Sequence, residues 1–286
     1  MGRRRLIVTA DDFGLAVPVN EAVEIANREG VLGGASLMVS GAAAGDAVAR
    51  ARRLPRLRVG LHVALVDARP MLHPRRVPDL VDAHGRFRDG MFGAGVRFFF
   101  LPRVRRQLAA EIRAQFEAFR ETGLALDHVN THKHMHLHPT VLGLILRIGR
   151  EYGLRAVRLP HEPLRGARCV RPGRWAAQAG WALFLAPWMA LLRRRLRRAG
   201  VRSNRFLFGL DTSGAMTEET VLRILHCLPE DVCELYFHPA TDTAADVALP
   251  MPAARHAAEL QSLISPRVRA AFESAGIERV SFSELV

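Results

Sequence analysis

The sequence has little lysine and little cysteine. Lys133 is the only lysine, so arginine carries nearly all of the positive charge, and the formal net charge is +13. The three cysteines, Cys169, Cys227 and Cys233, form no CxxC pair. Their odd number and wide spacing argue against a disulfide framework and a structural zinc cluster, and they predict unpaired thiols in a reducing compartment.

A secretory leader and two common catalytic motifs are also missing. Met1–Arg5 is basic, but the apolar run Leu6–Ala10 is far too short for a signal-peptide core. We therefore expect a cytoplasmic protein, either free or peripheral on the inner face of the membrane. The chain contains no Gly-x-Ser-x-Gly elbow and no phosphate-binding loop, so serine-hydrolase and P-loop chemistry have no support.

The excess of arginine has two interpretations. It reflects GC-rich codon usage, or it attracts an anionic partner such as nucleic acid or an acidic membrane face. Nucleic acid is not expected, because the most basic segments border apolar bulk and lack a polar pattern that could read a groove.

Short apolar runs alternate with helical patterns through most of the chain. Hydrophobic residues make up 49% of the 286 residues, which suffices for one sizeable domain spanning 1–286. The alternation predicts an α/β fold with a parallel sheet covered by helices. The predicted strands are Leu6–Ala10, Ala35–Val39, Val59–Leu65, Leu126–Asn130, Ala156–Leu159, Phe206–Phe208, Val232–Phe237 and Val280–Phe282. Residues 67–102 show no clear periodicity and predict a long loop.

Histidines recur at every second position from His128 to His138. If this stretch is extended, they all point to one face. Histidine is the commonest protein ligand of transition metals. The alternative is a solvated loop in which the spacing is incidental.

Further polar residues stand at or near predicted strand ends, where sites form in parallel α/β folds. Asp11 and Asp12 follow the first strand, His62 lies in the third, and His238 ends the seventh. Taken alone, each has a structural interpretation: the two aspartates as a solvated turn, His62 as a core histidine and His238 as part of a His-Pro turn. Together, two histidines and a carboxylate are typical of a hydrolytic metal site. The spare carboxylate can serve as general base.

An apolar insertion interrupts the α/β pattern at about 164–203. Trp175–Leu192 is almost wholly apolar, holds all three tryptophans and is bordered by arginines. It is short for a membrane span and contains Pro187. We expect 175–198 to contact a membrane surface. The alternative is a helix packed on the core or on another copy.

Four motifs in this order resemble the YdjC-like (ChbG-like) carbohydrate deacetylases: Thr9–Gly14, Gly60–His62, His128–His136 and Phe237–Ala240. With its insertion, the chain most resembles the branch associated with hopanoid biosynthesis. The resemblance implies a distorted, (β/α)-barrel-like fold related to the NodB-type polysaccharide deacetylases. It also implies metal-dependent removal of the N-acetyl group from an amino sugar, here an N-acetylglucosaminyl hopanoid.

Carried over residue by residue, the resemblance implies ligands for a divalent ion (Zn, Mg, Mn or Co) at Asp12, His62 and His132. Asp11 would be the base, and His238 would protonate the leaving amine or orient an acid. Arg158 either contacts the sugar or acetate, or forms a plain salt bridge. Asn130 and Thr131 stand where the family often has Asp-Ser, which puts the tuning of the metal in doubt.

Two other functions remain open. One is a soluble deacetylase of chito-oligosaccharides whose insertion serves only for packing. The other is a non-enzymatic, metal-bearing protein that binds a membrane surface or nucleic acid through its positive charge.

Overall fold

A parallel sheet organises the chain. A computed structural model describes residues 4–88, 90–164, 169, 173, 175–241 and 255–285. Its strands are β1 Arg5–Phe13, β2 Gly34–Leu37, β3 Arg58–Val63, β4 Val129–Thr131, β5 Phe206–Phe208, β6 Val232–Phe237 and β7 Glu278–Arg279. They pair in the order β4-β3-β2-β1-β6-β5, with β7 beside the start of β1, and every pair is parallel.

The sheet curls so that its two edges approach each other. Beyond β4, isolated parallel bridges join Val129 to Val157 and Ala156 to Arg202. The amide of Leu207 in β5 then donates to the carbonyl of His161 at 2.9 Å. The predicted α/β, barrel-like and distorted fold is therefore confirmed.

Helices cover the sheet. They are α1 Val17–Glu29, α2 Ala44–Ala51, α3 Met91–Phe100, α4 Pro102–Glu121, α5 Pro139–Gly149, α6 Trp175–Arg198, α7 Glu218–His226, α8 His256–Ile264 and α9 Pro266–Ser274. The central strand β1 is buried from Leu6 to Phe13, as expected for a strand covered on both faces. Helix α4 is amphipathic: Leu108, Ile112, Phe116 and Phe119 are buried along one side.

Three predictions about elements were wrong. Residues 91–100, expected to be loop, form α3. The last strand lies at 278–279, followed by a 3-10 turn at Phe282–Glu284. The predicted strand Ala156–Leu159 forms only isolated bridges, because the Asn204 side chain bonds both the amide and the carbonyl of Leu159 in place of a neighbouring strand.

The cysteine prediction was also wrong. Cys169 and Cys227 form a disulfide with their Cα atoms 6.6 Å apart, and only Cys233 is a free, buried thiol. The count and spacing could not reveal this, because 58 residues separate the partners and only the fold brings them together. Unpaired cysteines therefore no longer support a reducing compartment, and the cellular location stays a prediction.

The insertion forms the 24-residue helix α6, with Pro187 inside it. Its second half packs on the domain: Met189, Leu192 and Leu196 are buried, and Trp188 Nε1 donates to the carbonyl of Leu137. Among the described residues, no helix is both long and apolar enough to cross a membrane. The expected arginines before the helix and the side chains of Trp175 and Trp181 lie outside the described residues.

Candidate metal centre

A bulge at the end of β1 turns two adjacent carboxylates toward one place. Neighbouring side chains of a regular strand point to opposite faces. Here the register with β2 shifts between Ala10 and Phe13, and Asp12 has the left-handed φ of 61°. The extra residue re-aims the chain, so Asp11 and Asp12 are both buried at the carboxyl edge of the sheet.

Asp12 meets two histidines from neighbouring strands. Its Oδ1 lies 3.3 Å from His62 Nε2 on β3 and 3.1 Å from His132 Nδ1 after β4. The three side chains are buried, and each offers a ligand atom within 4.8 Å of the others. The fold thus brings together the three residues that the sequence singled out as ligands.

The donor set fits a divalent ion. Two ligands about 2.1 Å from a metal, at tetrahedral to octahedral angles, lie roughly 3.0–3.4 Å apart, which matches the spacings around Asp12 Oδ1. Burial alone would raise the pKa of Asp12, but His132 and His62 hold that pKa well below its usual value, so the carboxylate form needed for metal binding persists. His132 Nε2 is also buried without a hydrogen-bond partner in the described part of the chain.

Asp11 is held differently, by a buried arginine. Arg158 NH1 and NH2 donate to its two carboxylate oxygens at 2.5 and 2.9 Å. Burial by itself would raise the pKa of Asp11, but the charge of Arg158 outweighs it and the pKa falls far below the usual value. Asp11 is therefore a carboxylate at every pH near neutrality.

Arg158 itself is a salt-bridge residue in this structure. It is fully buried and also donates to Glu234 Oε1 at 2.7 Å and Thr9 Oγ1 at 2.9 Å. Arg158 therefore forms the salt bridge that was one of its two predicted roles, and its contact with sugar or acetate stays a prediction. Sequence reasoning missed Glu234, although a charged residue inside the apolar run of β6 was a usable signal.

Asn130 was the other residue whose role was missed. Its Nδ2 donates to Asp11 Oδ1 at 3.1 Å, and its Oδ1 accepts from His62 Nδ1 at 2.7 Å. An aspartate at this position could not donate to Asp11. Asn130 thus gives both Asp11 and His62 a hydrogen-bond partner, and its place midway between His128 and His132 was the available signal.

The expectation of an extended histidine stretch was wrong. Residues His132–Leu137 form a 3-10 turn, and Lys133 and His134 have φ of 51° and 53°. His136 is buried between Thr131 Oγ1 and the carbonyl of Arg158; burial and then Arg158 lower its pKa to about 3. The left-handed backbone at Lys133 and His134 breaks the alternation of side chains. His132 is therefore the only histidine of the stretch from His128 to His138 that reaches Asp12.

His238 ends β6 beside the carboxylates. A small pocket is lined by Asp11, Asp12, Leu15, Val19, His238, Pro239 and His256. The amide of His238 donates to Glu259 Oε2 at 2.5 Å, and its carbonyl lies 2.6 Å from His256 Nδ1. The backbone of His238 is thereby held in the wall of the pocket that Asp11 and Asp12 also line.

The chain is similar to several known proteins. The family model described as YdjC-like protein matches residues 5–274. A carbohydrate deacetylase of Brevibacillus brevis is 28% identical over 98% of this chain and 99% of its own length. A carbohydrate deacetylase of Geobacillus stearothermophilus is 37% identical over 58% of this chain and 62% of its own. A crystal structure from Enterococcus faecalis V583, named for a proposed role in cellobiose-phosphate cleavage, has 25% identity and a TM-score of 0.73 over 99% of both chains.

Proposed function

The chain belongs to the YdjC-like protein family, and we propose that it is a metal-dependent carbohydrate deacetylase that removes the N-acetyl group from an amino sugar. The observation that carries this proposal is the second carboxylate, Asp11, next to a buried Asp12-His62-His132 set. The similarity to carbohydrate deacetylases over nearly the whole chain supports the same chemistry.

In the proposed reaction, water adds to the acetyl carbonyl, the C–N bond breaks, and acetate and the free amine leave. Asp12, His62 and His132 would hold a divalent ion, which supplies polarisation of the carbonyl and acidification of water when bound. Asp11 accepts the proton of the attacking water. Its depressed pKa favours passing that proton onward, and His238, which lines the same pocket, would give a proton to the departing nitrogen.

Removal of the metal tests this function directly. We expect the purified protein to release acetate from N-acetylglucosamine-containing substrates, and a chelator to abolish release. Re-addition of single ions (Zn, Mn, Co or Mg) should restore it and identify the one preferred. Acetate is measured enzymatically and the amine by mass spectrometry. If no N-acetylated sugar is turned over with any of these ions, while the protein binds DNA or anionic vesicles in a salt-sensitive manner, the non-enzymatic alternative takes its place.

We further propose that the substrate is lipid-linked, an N-acetylglucosaminyl hopanoid or similar glycolipid. Two helices bordering the site expose large apolar side chains. On α3, Phe92 is 86% and Phe100 67% exposed, and on α6, Leu183 is 78% exposed. Large exposed apolar side chains that cluster on a surface usually mark an interaction site.

Both helices contact Leu137 or His138, which follow the proposed ligand His132 in the sequence. The Phe98 and Phe99 rings of α3 lie 6.2 and 6.1 Å from the ring of His138, and Trp188 of α6 bonds the carbonyl of Leu137. Arginines border the apolar side chains: Arg103, Arg105 and Arg106 on α4, and Arg193, Arg194, Arg195, Arg197 and Arg198 on α6. Each arginine near an anionic membrane contributes about 1 kcal/mol of binding. This surface would hold the enzyme where a glycolipid headgroup is presented.

Replacing Phe92 and Phe100 together by serine tests the lipid surface. A fully buried phenylalanine contributes about 1.5–3 kcal/mol, so we expect at least a tenfold loss of binding to phosphatidylglycerol-containing vesicles, measured by co-sedimentation. Activity on lipid-linked N-acetylglucosamine should fall in parallel, while activity on soluble diacetylchitobiose serves as the internal control. Unchanged vesicle binding, with soluble substrate preferred, would favour the chito-oligosaccharide enzyme.

A further inference from the structure

A series of side-chain hydrogen bonds leads through the core to the metal centre. His128 Nδ1 lies 2.9 Å from Asp127 Oδ2, and His128 Nε2 lies 3.1 Å from Ser36 Oγ. Asn130 Nδ2 lies 2.9 Å from the same Ser36 oxygen. The amide of Asn130 then contacts Asp11 and His62 as described above. Ser36, His128 and Asn130 are each 0% exposed, so water does not complete these bonds.

The donor and acceptor roles along this series of hydrogen bonds have one consistent assignment. A carboxylate only accepts, so Asp127 requires a proton on His128 Nδ1. His128 Nε2 is then an acceptor and takes the Ser36 hydroxyl proton. The lone pairs of the Ser36 oxygen accept one N–H of Asn130, and Asp11 accepts the other.

This leaves the Asn130 carbonyl oxygen facing His62. It can only accept, so His62 carries its proton on Nδ1 and turns the lone pair of Nε2 toward Asp12. A flipped amide would set its oxygen against the Asp11 carboxylate. Only the unprotonated nitrogen of an imidazole binds a metal, so this tautomer is the one that metal binding requires.

The His128 ring, near the start of this series of hydrogen bonds, is held in place by packing. The His128 ring stacks on Phe282 with centroids 4.5 Å apart. A Cβ on Gly60 would meet the same ring at 2.5 Å, so the ring fills the space that glycine leaves. His128 therefore cannot turn over to present its other nitrogen to Ser36.

We propose that Asn130 is a positioning residue that selects the metal-binding tautomer of His62 and orients Asp11, and that Asp127, His128 and Ser36 hold its amide in the required direction. The inference rests on the proposed metal centre and concerns no turnover step. Partners that orient metal-ligating histidines commonly affect metal affinity by about 10–100-fold.

Replacing Asn130 by leucine tests the role of the amide. In the metal-free wild type under mildly alkaline conditions, histidine ¹⁵N–¹H spectra should show His62 protonated on Nδ1. In Asn130→Leu the Nδ1 proton loses its acceptor, and we expect the proton to move to Nε2, where Asp12 accepts it. Zinc affinity, measured against a competing chelator, should fall about 10–100-fold. If His62 keeps its Nδ1 proton and the protein its zinc affinity, the proposal is overturned.

Ser36→Ala tests the remainder of the hydrogen-bond series, which is formed by Asp127, His128 and Ser36. It removes one oxygen that touches neither the metal ligands nor Asp11, and we expect part of His62 to be protonated on Nε2 and zinc affinity to fall severalfold. Ser265→Ala is the matched control, because it removes another buried serine hydroxyl, which caps α9 far from the site. A Ser36→Ala protein with wild-type spectra and affinity would overturn the part assigned to Asp127, His128 and Ser36. None of these measurements uses a sugar, so absence of deacetylase activity would leave them interpretable.

Discussion

Replacing Asp11 by asparagine is expected to lower kcat for acetate release by about 10²–10⁴-fold, the contribution of a positioned general base, while bound metal stays at the wild-type amount. Asp11 is beside the proposed ligands but is not one of them. An amide cannot accept the proton of water at neutral pH. Acetate release and metal content, measured on the same preparation, separate the two roles.

The Asp11→Asn variant will also lose stability. Arg158 donates to both Asp11 oxygens and Asn130 donates to one of them, so an amide NH₂ faces a donor in either orientation. Activity must therefore be measured well below the melting temperature. Asp231→Asn is a suitable control, because Asp231 pairs with Arg205 at the surface. Near-wild-type kcat in Asp11→Asn with full metal content would assign the base elsewhere, and His238 would be examined next.

Replacing Arg158 by methionine is expected to cost about 3–5 kcal/mol of unfolding free energy at neutral pH, as for one partner removed from a buried ion pair. It leaves Asp11 and Glu234 buried without their cation, and both are nearly inaccessible to water. For a chain of this size, the melting temperature should fall by about 10 °C. Arg113→Met is the matched control, since Arg113 makes a similar two-bond pair with Glu151 at the surface, where such pairs contribute about 0–1 kcal/mol.

The loss should depend on pH in a defined direction. In the wild type, burial raises the pKa of Asp11 but Arg158 more than reverses this, so the folded-state pKa of Asp11 lies far below its ordinary value. A lowered pKa contributes stability that is fully present above about pH 4 and is lost as the pH falls further. In Arg158→Met the buried carboxyls can be neutralised by protons, so the difference from wild type should be largest near pH 7 and shrink in acid.

Denaturant unfolding at several pH values measures this difference. Adding Glu234→Gln to Arg158→Met removes one of the two uncompensated charges and should recover part of the lost stability. A gap between wild type and Arg158→Met that stays constant from pH 7 to pH 4 would show that lost packing, and not buried charge, is responsible.

The sequence could predict the fold because its signals are local. Apolar runs of strand length alternate with helical periodicity, and a parallel sheet places the residues after its strands at one edge. For that reason the polar residues at the strand ends could be expected to meet, and the resemblance of the motifs then selected Asp12, His62 and His132 as ligands before their distances were known. Where the local signal was weak, as in residues 91–100, the helix was missed.

The even spacing of the histidines was misleading for a physical reason. It implied a strand, but the backbone at Lys133 and His134 adopts a left-handed conformation, which residues other than glycine seldom adopt. Lys133 lies against Asp67, another residue with positive φ. Contacts of this kind form between distant segments and leave no periodic trace in the sequence.

The sequence by itself determined the parallel α/β fold and the edge of the sheet that carries the site, because periodicity and burial are encoded residue by residue, and the resemblance of its motifs singled out the three candidate ligands. The tertiary structure decided how they work together. It supplied the bulge that turns Asp11 and Asp12 to one side, the Arg158 pair 147 residues from Asp11, and the Asn130 amide 119 residues from it. Hydrogen bonds between such distant residues depend on the assembled fold, where burial makes each one decisive.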